Sequence, residues 1–191
     1  MYASKVFTLL AAAVASVSAF PAGTPTVGNT VGTRTYLTGV THSVVVGRGG
    51  LHFDPENVVA EVGDVIEWHF TAANHSLAQS DFAHPCKPLA DGTGFFAGFN
   101  FVTAEGQNPN VYQITVVDNS PIWYYCPQTK GNHCQVGQMV GVINQNFDSD
   151  KTLANHKLLA AGTGVSIVPP TIQGGKVGGY QRANPNPLSG F

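Results

Sequence analysis

The strongest constraint on the fold is a two-residue alternation that turn residues interrupt at short intervals. In LHFDPENVVAEVGDVIEWHF, Ile66, Trp68 and Phe70 alternate with Glu67 and His69. This is the period of a half-buried strand, apolar on one face and solvated on the other. Gly63-Asp64 supplies the turn before it. HSVVVG lies upstream; downstream, VYQITVVDNSPIWYYC gives two more alternating strands around a turn at Asn119-Ser120-Pro121, and MVGVIN gives a last one. About seven short strands at this spacing, in a chain with many glycines, predict an all-β fold, a Greek-key β-sandwich or barrel spanning 42–144. No internal repeat points to a propeller or solenoid.

The flanks read differently. MYASKVFTLLAAAVASVSAF carries one lysine, an apolar run and the small-residue sequence Val17-Ser18-Ala19, the pattern of a cleaved secretory signal over 1–19. Residues 20–41 read as a loose arm. Over 145–191, KTLANHKLLAA has the residues of a short helix, and a proline- and glycine-rich flexible tail follows. No second apolar stretch suits a membrane span, and the closing GYQRANPNPLSGF reads as lacking the hydrophobic tail of a lipid-anchor signal. The expectation is a secreted monomer, extracellular or in the cell wall. Charged residues form 10% of the chain and the net charge is −2, which gives no basic footprint for nucleic acid or an anionic membrane.

Three cysteines, Cys86, Cys126 and Cys134, are an odd number for a secreted chain. A bare thiol in an oxidising compartment oxidises or cross-links unless it is buried or bound to a metal. In CPQTKGNHCQVGQM, Cys126 ends an aromatic strand and His133 follows seven positions later, directly before Cys134. A soft thiolate with two imidazoles and a weak axial donor is the ligand set of a type 1 copper site, and a short loop can deliver several of these groups together. His75, in NHS beyond the strand that ends at Phe70, is the best-placed remote histidine. Neighbouring side chains on extended backbone point to opposite sides. If His133 faces a metal, Cys134 faces away and can pair with Cys86, leaving Cys126 as the odd thiol.

The combination of NHS, a following PC dipeptide, YYC and then HCxxGQ resembles the phytocyanin-like cupredoxins, with the nearest likeness to fungal secreted members. The resemblance covers about 100 residues, the length of one such sandwich. It implies one type 1 copper held by His75, Cys126 and His133, with Gln138 axial, and a disulfide between Cys86 and Cys134. Met139 is the alternative axial donor, since a one-residue shift of register decides which side chain faces the metal. The loop from Cys126 to His133 is longer than in plant members. The resemblance also implies that Asn74 ties the histidine loop to the cysteine loop by hydrogen bonds, which fixes ligand orientation.

Blander readings stand beside these. Cys126 read alone is a buried structural thiol; a nucleophile is disfavoured because its apolar flank would raise its pKa. Zinc prefers two separated ligand pairs. His42, His52, His69, His84 and His156 read as surface or packing residues, and Trp68, Phe70, Trp123, Tyr124 and Tyr125 as core. Phe95, Phe96 and Phe99 read as core, with an exposed docking patch as the alternative. The sequence thus points to a non-enzymatic electron-transfer protein working with an unnamed redox partner, or to a cell-wall or copper-sequestering protein without redox turnover. His-x-His pairs of a multicopper oxidase are absent.

Asn74-His75-Ser76 is also an N-glycosylation sequon. A glycan on a residue that links two ligand loops would break the site, so Asn74 is expected to stay unmodified when the chain passes through a secretory host. Intact-mass measurement of the secreted product checks this, and a hexose-bearing Asn74 in folded protein would refute it.

Overall fold

The computed structural model describes residues 39–189; the proposed signal sequence and nearly all of the arm lie outside them. Nine strands and one helix follow in chain order: β1 (Thr41–Val46), β2 (Phe53–Asp54), β3 (Asn57–Val58), β4 (Val65–Ala73), β5 (Ala78–Ser80), β6 (Thr103–Thr115), β7 (Ile122–Tyr125), β8 (Val140–Ile143), α1 (Leu153–Ala161) and β9 (Tyr180–Ala183). They form two mixed sheets, ordered β2-β1-β4-β6-β9 and β3-β8-β7-β5. Within these, β1 runs parallel to β4 and β3 parallel to β8, while the other pairs are antiparallel. β2 and β3 have two residues each, too few to show a period in sequence.

Between the sheets lies the core that the alternation predicts. Ile66, Trp68 and Phe70 of β4 are fully buried, and Trp68 meets Tyr124 of β7 edge-on at 5.3 Å between ring centroids. Edge-to-face packing suits the ring quadrupoles and adds to the area buried. The GFFAGFNF run belongs to the core, not to a surface patch: Phe95 and Phe96 are buried, and Phe101 stacks on Phe70 at 4.0 Å.

Strand β4 departs from the half-solvated expectation. Glu67 and His69, the polar half of the alternation, are both fully buried. Their cover is the segment that reads as a flexible tail in sequence. Tyr180–Ala183 pairs antiparallel with β6 as β9, an edge strand with no apolar period to announce it. Beyond β9, Asn186 Nδ2 donates to Glu67 Oε1 at 3.3 Å, and Asn184 Nδ2 lies 3.4 Å from His69 Nδ1 and 3.0 Å from Gln107 Oε1. Gln113 Nε2 donates to Glu67 Oε2, and Tyr180 Oη donates to Gln113 at 2.9 Å. His69 Nε2 sits 2.9 Å from Glu67 Oε1 as a charge contact rather than an aligned hydrogen bond. The Glu67 carboxylate on the polar face of β4 is thus served by protein amides instead of water, as a buried carboxylate requires, while His69 Nε2 has no aligned partner.

Helix α1 lies where the sequence places it. Thr152 caps its N-terminus, accepting a hydrogen bond from Asn155 N at 3.2 Å. Lys157 Nζ pairs with both oxygens of Glu56 at 2.6 Å. Ala160 enters a small apolar cluster with Tyr125, Val140, Cys86 and Cys134, so the helix closes over the disulfide. His156 is fully buried against Trp123, 4.5 Å between ring centroids, and its Nδ1 donates to Phe82 O at 3.0 Å.

Burial pushes the His156 pKa down to about 4, with the Phe82 carbonyl and Asp81 acting in the opposite direction. The unfolded chain takes up this proton near the ordinary value of about 6.5, so His156 contributes its full stability above that pH and loses it as pH falls toward 4. His156→Gln, which does not titrate, is expected to remove about 3 kcal/mol of the stability lost between pH 7 and 4. Urea denaturation of both proteins across this range measures it; parallel pH profiles would rule out a buried neutral imidazole.

Candidate metal centre

Two loops at one end of the sandwich supply the ligands. β4 carries register shifts between His69 and Thr71 and between Thr71 and Ala73, and its irregular end leads into Asn74-His75. Such bulges bend a strand and re-aim the side chains beyond it. Cys126 follows β7 directly, and His133 lies in the loop between β7 and β8. That loop folds on itself: His133 N donates to Gln128 O at 3.1 Å, Met139 N to His133 O at 3.1 Å, and Cys126 N to Met139 O at 3.0 Å. Gly131 and Asn132 take left-handed backbone at its tip, φ 79° and 47°, a conformation these two residue types tolerate.

His75, Cys126 and His133 converge, with one ligand atom from each inside a span of 4.8 Å. Cys126 Sγ stands 3.5 Å from His133 Nδ1, and the two imidazole rings are 4.8 Å apart. Among the described residues, no other group of three metal-ligating side chains comes together in this way. His75 Nδ1 is buried without a hydrogen-bond partner. An orphaned buried nitrogen beside a thiol and a second imidazole is the condition a metal would relieve. One soft sulfur and two nitrogens fit copper by donor type.

Electrostatics keep the set uncharged. Burial lowers the His75 pKa to about 4, with His133 adding to the effect, and burial lowers that of His133 as well. Burial also raises the Cys126 thiol to about 11, against the opposing backbone hydrogen bonds from Ser76 and Gln128. A thiol in that state is a poor nucleophile. Cys86 and Cys134 are bonded to each other, and Cys126 is the free cysteine. Two cysteines of one loop thus serve opposite sides: Cys134 belongs to the small cluster under α1, while Cys126 belongs to the main core.

The two candidate axial residues separate clearly. Gln138 is half-buried on left-handed backbone, φ 48°. Met139 is wholly buried in the same apolar cluster as Cys126. Asn74 joins the two ligand loops, but through its main chain: Gln128 Nε2 donates to Asn74 O at 3.2 Å, while Asn74 Oδ1 is buried without a partner. Gln128 is therefore a residue that sequence reasoning missed; only its position two places beyond Cys126 hinted at it.

Gly47 was missed too. It ends β1 with φ 83°, and a Cβ there would lie 2.2 Å from His75 Nε2. The other histidines stand outside the cluster. His42 Nε2 contacts Asp64 at 2.8 Å, His84 Nδ1 contacts Asp81 at 3.0 Å, and His69 and His156 occupy the buried sites described above. His52 exerts only a minor charge effect on His75.

No family model matches the sequence. The chain is 33% identical over 135 residues to a probable GPI-anchored cupredoxin of Arthroderma benhamiae, covering 71% of this chain and 66% of the relative. It is 32% identical over 139 residues to an extracellular serine-rich protein of the same species, covering 73% of this chain and 52% of the relative. The chain therefore spans between about half and two thirds of the length of these curated relatives. Among solved structures, a pseudoazurin from Hyphomicrobium denitrificans aligns with 65% of this chain and 98% of its own, at 17% identity and a TM-score of 0.39. A purple cupredoxin from Nitrosopumilus maritimus aligns with 53% and 95%, at 14% identity and a TM-score of 0.35.

Gly47→Ala is expected to push the His75 ring out of place and to weaken metal binding about 10- to 100-fold, the usual effect of disturbing a ligand's support. Competition against a chelator, with circular dichroism to verify the fold, measures this. Unchanged affinity in a folded variant would mean that Gly47 does not hold the ring.

Proposed function

Because the chain belongs to the cupredoxin family and is a copper-binding protein of that type, we propose that it is secreted and holds a single type 1 copper ion for electron transfer. His75, Cys126 and His133 would hold it, with Met139 as a weaker fourth donor. The observation that carries this reading is the convergence of a free thiol and two imidazoles, one with an orphaned nitrogen, inside 4.8 Å. Bound copper supplies reversible one-electron exchange between Cu(I) and Cu(II). The chain supplies constraint: Gln128 ties the His75 and Cys126 loops together, Gly47 bounds the His75 ring, and the disulfide fixes the residue after His133. Ligands held this firmly keep their places whichever oxidation state is present, which favours fast exchange. Met139 is favoured over Gln138 because its thioether is buried with Cys126.

The names of the two relatives, GPI-anchored cupredoxin and extracellular serine-rich protein, support a cell-surface or extracellular setting. In a second reading, the same site stores or sequesters copper at the surface without passing electrons. Reversible redox cycling with a partner separates the two.

With Cu(II) added, the chain is expected to develop an intense blue thiolate-to-copper absorption that Cys126→Ser abolishes. Met139→Gln is expected to lower the reduction potential, since an amide oxygen favours Cu(II), while Gln138→Ala leaves it in place. Spectropotentiometry on the three proteins reads both. A colourless folded protein would refute the copper site, and a potential that moves with Gln138→Ala would transfer the axial role to Gln138.

A further inference from the structure

A cavity of about 620 Å³ opens beside the two ligand imidazoles. His75 and His133 form part of its wall, Leu51, Ala72 and Ala73 give it an apolar side, and Lys130 contributes an ammonium. No carboxylate lines it. Lys130 is exposed and makes no ion pair among the described residues. By contrast, Glu61 and Asp64 line a separate cavity at the start of β4. That is the far end of the strand from His75, about 25 Å away at the rise of an extended chain. One end of the sandwich thus presents the Lys130 ammonium with no carboxylate beside it, the other the carboxylates of Glu61 and Asp64, the latter in contact with His42.

We infer that the cavity binds a small organic anion, a flat apolar body carrying a carboxylate, with the body against Leu51, Ala72 and Ala73 and the carboxylate toward Lys130. The volume falls within the range of small-molecule sites, which combine a mostly apolar lining with a few polar groups that set orientation. A cleft with charge of one sign on its rim raises the local concentration of ligands of the opposite sign. Binding by itself needs no metal. Its significance, as the route by which a small anion reaches the ligand histidines, rests on the copper reading above.

The test uses the full chain, with and without copper(I), labelled with 15N and titrated with benzoate and with the uncharged, nearly isosteric benzamide. Benzoate is expected to shift the backbone amides of residues 47–51 and 128–133 and to bind several-fold more tightly than benzamide. Lys130→Met is expected to weaken benzoate about threefold, the scale of one exposed charge pair, and to leave benzamide unchanged. Raising the ionic strength from about 10 mM to about 150 mM should erase much of the difference. Equal binding of the two probes, or shifts spread away from these loops, would overturn the inference. A chain that takes up no copper yet binds benzoate at these loops would refute the copper reading and leave the anion site standing. A copper-loaded chain whose loop amides ignore benzoate would do the reverse.

Discussion

The site depends on the way two neighbouring residues, His133 and Cys134, are divided between two sides of one loop. Cys134 is locked to Cys86 in the small cluster under α1, and this turns His133 toward Cys126. The disulfide closes a loop of 48 residues, which in the chain-entropy picture is worth on the order of 4 kcal/mol. Its greater consequence is local. It removes two of the three thiols from redox chemistry and fixes one end of the loop that carries His133, while Cys126 N bonded to Met139 O fixes the other end.

Strand β4 performs a comparable task for His75. A strand buried on both faces has less freedom than one with a solvated face, and β4 has protein on each side: the aromatic core on one, the Glu67–His69 network under the C-terminal segment on the other. A buried carboxylate in such a network needs hydrogen-bond donors, and side-chain amides of Gln113 and Asn186 supply them. The C-terminal segment is therefore a structural part of the sheet that presents His75, even though it lies far from the site in sequence.

Much of this was legible from residue order. The alternation at Ile66, Trp68 and Phe70 announced a core strand, and the placement of His75, Cys126 and His133 announced the cluster. What stayed hidden shares one physical character. β9 is exposed along its whole length, so YQRA shows no apolar period. The burial of Glu67 and His69 depends on a segment more than 100 residues away, and a period of two cannot tell a solvated face from one covered by distant amides. Gln128 and Gly47 act through a main-chain carbonyl and through the lack of a Cβ, neither of which leaves a motif. The different burial of Gln138 and Met139 follows from the path of the backbone after Gly137, which adjacent residues could not reveal.

One physical cause then links protection of the thiol with preparation of the site. Burial holds Cys126 protonated and His75 and His133 neutral, so the three donors can stand within a few ångströms without charge repulsion. A protonated, inaccessible thiol resists oxidation. The same dehydration makes a cation that accepts a thiolate and two imidazoles the most effective way to satisfy them, with the thiol proton released on binding. His75 is 3% exposed and His133 is only half-buried, so this closed donor set has one edge near solvent. That edge lies on the cavity that also carries Lys130.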